Sequence, residues 1–141
     1  MAFLFDTDAI SELLRRRPAK AFVNWLSSIS REEQYTSAIV VGELFKGAFR
    51  SADAERHLRN IEQRILPAMT VLPYDIGVAR EFGRLRAELE ETRSLLPDAD
   101  IQIAATSIYH RLTLVTGNLR HFERFDGLDV STVLADARDG P

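Results

Sequence analysis

The chain contains no cysteine, so it has no disulfide framework, no zinc–thiolate cluster and no thiol nucleophile. It also lacks any window approaching the ~18 apolar residues needed to span a bilayer. The opening MAFLFDTDA has neither the basic n-region nor the cleavage-site pattern of a secretory signal. A cytoplasmic protein is the expectation from these absences together. A net positive charge is missing too: the formal net charge is −3, which argues against a generally basic surface that grips nucleic acid through phosphates alone. A local basic site stays open, because Arg15, Arg16, Arg17 and Lys20 cluster in RRRPAK, and Lys46 and Arg50 add a smaller group. The competing reading of the arginine run is a solvated helix end that complements the helix dipole. Nucleophile-elbow, P-loop and dinucleotide-binding motifs are all missing, as are repeats and low-complexity segments.

What is present is the balance of a globular domain, with 45% hydrophobic and 28% charged residues. At 141 residues the chain suits one compact domain with a sizeable core. That domain is placed at residues 1–134, and residues 135–141 are expected to form a flexible C-terminal tail.

Residues 2–5 (AFLF) read as a short buried strand, with Asp8 or Thr7 available to cap a helix through SELLRRR. Pro18 starts a second helix, in which Phe22, Trp25, Leu26 and Ile29 follow the spacing of a core face. QYTS (34–37) is a short strand whose Ser37 can cap the helix IVVGELFKGAF. Leu58, Ile61 and Ile65 mark a further helix, TVLPY (70–74) is strand-like, and Asp75 can cap the long helix that follows. DADIQIAATSIYH carries an apolar face at helical spacing, and LTLVT (112–116) is the clearest strand in the chain. A short helix in NLRHFERF and a last strand at LDV complete the pattern. Strands separated by helices need crossover connections, which predicts an α/β fold with a mostly parallel sheet covered by helices on both sides. Ligands in such sheets collect at the carboxyl ends of the strands. Asp6 and Asn118 stand just past two of those ends, and the helices bearing Glu43 and Asp100 follow a strand and a loop.

Four acids then compete for roles. Glu43 sits at the border of an apolar helix face, where the plain alternative is an i, i+3 ion pair with Lys46. Asp98 and Asp100 are two residues apart and cannot share a helix face; with Asp98 as the cap, Asp100 falls in the first turn. The alternative is that both merely complement the helix dipole. Were Asp6, Glu43 and Asp100 to converge, each would raise the others' pKa unless a cation offset the charge. Oxygen-only ligands favour Mg²⁺ or Mn²⁺ over zinc. Such a metal activates water and stabilises phosphoryl charge, which points to hydrolysis of phosphodiesters or phosphomonoesters. His57, His110 and His121 share no spacing with a nucleophile and are assigned to surface or capping positions.

Three blocks, FLFDTDAISELL, SAIVVGELFKGA and DADIQIAATSIYHRLTLVTGNLRHFERFDGLDV, together resemble the PIN-domain ribonucleases, especially VapC-type toxins of bacterial toxin–antitoxin pairs. They occur in the family's order and include its D-x-x-I-A-A and LVT-x-N elements. The resemblance implies an α/β/α sandwich and a Mg²⁺-dependent endoribonuclease, with Mn²⁺ as an alternative ion. It assigns Asp6, Glu43 and Asp100 to the catalytic metal site, with Asn118 at a fourth position, and gives Thr7 and Thr116 supporting hydroxyl roles. Asp98 is a secondary carboxylate. Members commonly have Asn where this chain has Asp8, and some have Asp where it has Asn118. The partners implied are an RNA substrate, a second copy of the chain and a cognate antitoxin that binds operator DNA; DNA is reached only through that antitoxin, and no membrane is involved. Arg15, Lys46 and Arg120 are candidates to position the RNA backbone.

Two rival readings remain. LFDTDA also resembles the haloacid-dehalogenase phosphatase motif, with Asp6 as nucleophile and Asp8 as general acid, although Ala9 and Ile10 replace that family's Gly-Thr. The other is a catalytically silent PIN-like module that binds antitoxin or RNA.

Overall fold

The computed structural model describes residues 1–139. Five short strands form one sheet: β1 (Phe3–Phe5), β2 (Gln34–Ser37), β3 (Thr70–Leu72), β4 (Thr113–Val115) and β5 (Val130–Ser131). Their order is β3-β2-β1-β4-β5 and every pairing is parallel. Eight helices connect and cover them: α1 (Thr7–Leu13), α2 (Lys20–Ser27), α3 (Ala38–Arg50), α4 (Ala54–Asn60), α5 (Ile76–Glu91), α6 (Asp98–Tyr109), α7 (Leu119–Phe122) and α8 (Val133–Asp139). A π-helical turn, Ile61–Ile65, extends α4. The expected parallel α/β architecture is the one observed. No helix among the described residues is long and apolar enough to cross a membrane.

The order of the sheet places the site. Successive strands run outward from β1 through β2 to β3, and the chain then returns to the other side of β1 to lay down β4 and β5. The direction of winding therefore reverses between β1 and β4, and a crevice opens at the carboxyl ends of the strands at such a reversal. The central strands can sit there because they are apolar on both faces: Leu4, Phe5, Leu114 and Val115 are wholly buried. Phe22 of α2 belongs to the same buried core, and the Trp25 ring meets those of Phe3, Phe5 and Phe22, which makes Trp25 a packing residue as its spacing predicts.

Local rules account for several helix starts. Ser37 Oγ accepts from the Val40 N–H at 3.1 Å, and Asp75 Oδ1 accepts from the Val78 N–H at 3.0 Å. Two expectations are corrected. Helix α1 stops at Leu13, so Arg15–Arg17 lie beyond it in an irregular turn and not in a helix through SELLRRR. The expected tail is helical through Asp139: Leu134 is fully buried and anchors α8, which packs against α2. The rest of that tail, residues 140–141, lies outside the described residues.

Candidate active site

Asp6 is the first residue past β1, and its own side chain starts the helix that follows. Its Oδ1 accepts from the Ala9 N–H at 2.8 Å, so the N-cap of α1 is Asp6, not Thr7 or Asp8. A carboxylate at this position faces the positive end of α1 yet is only 5% exposed. Burial pushes its carboxyl up to about 7; the charges of Asp8 and Asp100 add to this, while the Thr116 hydroxyl and the Ala9 N–H act in the opposite direction. Desolvation is thus the main cause, ahead of the mutual repulsion that the sequence suggests.

Glu43 projects from the second turn of α3, and Thr7 Oγ1 donates to its Oε1. It makes no ion pair with Lys46 among the described residues. Asp100 stands in the first turn of α6, where Pro97 is the N-cap and its carbonyl accepts from the Asp100 N–H at 3.0 Å. With Nδ1 protonated, His121 donates to Asp100 Oδ2 at 2.8 Å; Asn118 Nδ2 lies 3.0 Å from the same ring nitrogen. Thr116, fully buried at the end of β4, accepts from the Asn118 N–H at 3.0 Å.

These side chains line one cavity of about 290 Å³, which gathers Asp6, Thr7, Asp8, Glu43, Asp100 and Asn118. Asp98 is not among them: it is turned outward into an ion pair with Arg86 of α5. That is a correction to its candidacy, and its cause is the geometry of the first helical turn, where residues two apart point to different sides. Among the described residues no three His, Asp or Glu side chains stand close enough to hold an ion as they are placed. The chemistry of the set still suits a hard divalent cation: its acids offer only oxygen, and burial without an offsetting charge raises the carboxyl of the most buried of them.

Asp8 has a different use. Arg138 of α8 grips it with both terminal nitrogens, Nη1 to Oδ2 at 2.9 Å and Nη2 to Oδ1 at 3.0 Å. Oδ2 also accepts from the Gly117 N–H at 3.1 Å. The remaining guanidinium nitrogen, Nε, donates at 2.9 Å to Oε1 of Glu12, a residue only 1% exposed. With both oxygens engaged, Asp8 is not placed to act as the free general acid of a dehalogenase-type phosphatase.

A second and larger cavity, about 640 Å³, shares Thr7, Ser11 and Glu43 with the first and runs between α1, α3 and α4. Three of its lining residues are arginines, Arg15, Arg16 and Arg56, and His57 stands with them. Of the three basic residues expected to meet RNA, only Arg15 lies in this groove; Lys46 and Arg120 line neither cavity. Sequence reading assigned His57 and His121 to surface or capping positions and overlooked Arg56. One signal was available, since His121 follows Asn118 at i+3 on a helix start.

The PIN domain family model matches residues 3–128. Among curated proteins, the chain is 34% identical over 124 residues to "Ribonuclease VapC2" of Haemophilus influenzae, covering 88% of this chain and 92% of that one. It is 38% identical over 125 residues to "Toxin FitB" of Neisseria gonorrhoeae, covering 84% and 89%. Among solved structures, a DNA-bound VapBC from Salmonella typhimurium superposes with a TM-score of 0.83 at 29% identity, covering 93% of this chain and 97% of that one. A match of that extent, on a fold that brings the three acid-bearing blocks to one crevice, means that the chain belongs to the PIN domain family.

Proposed function

We propose that the protein is a divalent-metal-dependent endoribonuclease, the toxin of a toxin–antitoxin pair, and that Asp6, Glu43 and Asp100 hold its metal. The observation that carries this reading is the meeting of three acids, from the end of β1, from α3 and from the start of α6, in one cavity at the reversal point of the sheet. The ribonuclease and toxin names of the relatives supply the substrate class, and the VapBC complex on DNA supports a cognate antitoxin as the partner that reaches DNA. A homodimer and a toxin–antitoxin hetero-oligomer in the cytoplasm are part of the same reading.

Each acid is held by a neighbour that fixes its direction. The Ala9 N–H orients Asp6, the Thr7 hydroxyl orients Glu43, and His121 orients Asp100. Fixing the acids in advance removes reorganisation at the moment of reaction. Asn118 adds a neutral amide at the fourth position, so it contributes an oxygen without another charge. Mg²⁺ or Mn²⁺, when bound, supplies charge neutralisation for the phosphodiester and acidifies water. A free carboxylate oxygen of the cavity accepts the proton of the attacking water. Phosphorus then gains that oxygen and loses the 3′ oxygen of the preceding ribose, which takes a proton from solvent, leaving a 5′-phosphate and a 3′-hydroxyl. Arg15, Arg16, Arg56 and His57 line the adjoining groove and suit the phosphates of the flanking strand.

The test is cleavage of structured RNA by protein freed of antitoxin, with and without EDTA. Cleavage is expected only with Mg²⁺ or Mn²⁺, and Asp6→Asn is expected to lower it at least about a hundredfold while circular dichroism stays unchanged. A mutant that cuts as well as its parent would refute the metal-site assignment.

A further inference from the structure

The acid cavity is bordered by a cluster to which the steps above give no part. Arg138, near the end of α8, makes three hydrogen bonds to two carboxylates of α1, two to Asp8 and one to Glu12. Asp8 Oδ2 is shared between Arg138 Nη1 and the Gly117 N–H. Gly117 is the link between β4 and α7, and the next residue, Asn118, lines the cavity and touches His121, the partner of Asp100.

The fit at this link is close. A Cβ built on Gly117 would overlap both Arg138 Nη1 and Asp8 Oδ2, while its backbone has no positive φ that would itself demand glycine. Any side chain here would have to push the tips of the guanidinium–carboxylate pair aside, because the loop lies directly on that pair. A bidentate guanidinium–carboxylate contact fixes both partners in orientation as well as distance. The geometry points to Arg138 as a positioning residue for the reaction: through Asp8 it clamps the Gly117–Asn118 link, and so holds Asn118 and His121 in register with Asp100.

This inference rests on the reading of the acid cavity as the reaction site. The lever is strong because groups that orient a metal-site residue from behind commonly change activity by about 10–100-fold when lost. Helix α8 thereby acts on chemistry that it does not touch. Glu12 serves as the internal comparison: it also binds Arg138, but its other bonds go to the Ala19 N–H and Arg15, away from the Gly117 link.

The experiment compares Arg138→Ala, Arg138→Lys and Glu12→Gln in the full chain, measuring RNA-cleavage kinetics and amide hydrogen exchange. Arg138→Ala is expected to lower kcat about tenfold with KM within about twofold, and to speed Gly117 exchange about tenfold, the worth of one charge-assisted hydrogen bond. Arg138→Lys keeps the charge but loses the fork, and it should fall between parent and alanine in both readings; it also decides the matter if the alanine variant fails to fold. Glu12→Gln should lower Tm with kcat near the parent value. Unchanged Gly117 exchange in both Arg138 variants overturns the clamp, as does an equal loss of kcat in Glu12→Gln. If the parent protein cleaves no RNA, the reading of the cavity fails instead, and the exchange data alone still decide whether the clamp exists.

Discussion

Asp6 and Glu12 lie six residues apart on the same stretch of chain and are almost equally hidden, at 5% and 1% exposure, yet burial has opposite outcomes for them. For Asp6 burial prevails and carries the carboxyl up to about 7. For Glu12 burial also acts upward, but the Arg138 bond, the Ala19 N–H and the Arg15 charge outweigh it and hold the group below its usual range. The difference lies in the partner, because a buried acid is stable as an anion only where something cationic meets it. Glu12 has that cation within the chain. Asp6 does not, and its neighbours Asp8 and Asp100 carry the same sign. One region is complete within the chain; in the proposed reading, the other receives a charge from outside.

The sharpest way to break this comparison is Asp6→Asn. If Asp6 receives the cation, cleavage should fall on the order of 10²–10³-fold, with near-parent folding. Added Mg²⁺ should raise the Tm of the parent and leave that of the mutant unchanged, since only a state that binds the ion is stabilised by it. Next in size is Arg138→Ala, which strips the buried Glu12 of its main counter-charge. Removing one partner of a buried pair costs up to about 3–5 kcal/mol. Here the Ala19 N–H and Arg15 remain and Arg138 is partly solvated, so about 2–3 kcal/mol is expected in urea denaturation.

A smaller effect, with a distinctive sign, is the pH dependence of the metal-free protein. Because the Asp6 carboxyl is raised from 3.8 to about 7 on folding, the folded state holds an extra proton between those values. Its stability contribution is therefore full below the unfolded value and is lost as pH rises through about 7. Glu12 works the other way: its contribution is present above its ordinary 4.5 and is lost as pH falls through its lowered folded value. In the absence of metal, Asp6→Asn should thus be more stable than the parent at pH 8, by about 1–2 kcal/mol after relaxation around the buried charge, and the gap should close toward pH 4. A mutant that tracks its parent at every pH would show that Asp6 is already compensated.

The contrast also explains what could be read from the chain in advance. The strands at QYTS and LTLVT, the cap at Ser37 and the cap at Asp75 are legible because each is decided by residues a few positions apart. The acids of the cavity are legible through their placement past strand ends and their resemblance to the family's blocks. Arg138 is not: its carboxylates lie 130 and 126 residues away, and DARDGP carries the composition of a frayed end. Only the burial of Leu134 turns that end into a docked helix. Asp98 misleads for a similar reason, since its partner Arg86 is on another helix. Asp6 as its own helix cap escapes a search that looks for caps after the apolar run and for ligands at its end, because one residue does both.

The last prediction concerns Asp8→Asn, the residue that relatives commonly carry at this position. An amide oxygen in place of Oδ2 can still accept from the Gly117 N–H and from Arg138 Nη1, while the bond to Nη2 is lost. Asp8 and Arg138 are both partly exposed, so solvent screens the lost charge. Stability should fall by about 1 kcal/mol or less, and cleavage should stay within about threefold of the parent. Two Asp→Asn substitutions separated by a single residue would then differ by more than an order of magnitude in their effect on cleavage. If instead Asp8→Asn lowers cleavage as far as Asp6→Asn does, Asp8 belongs with the acids that await a cation, and its grip by Arg138 is incidental.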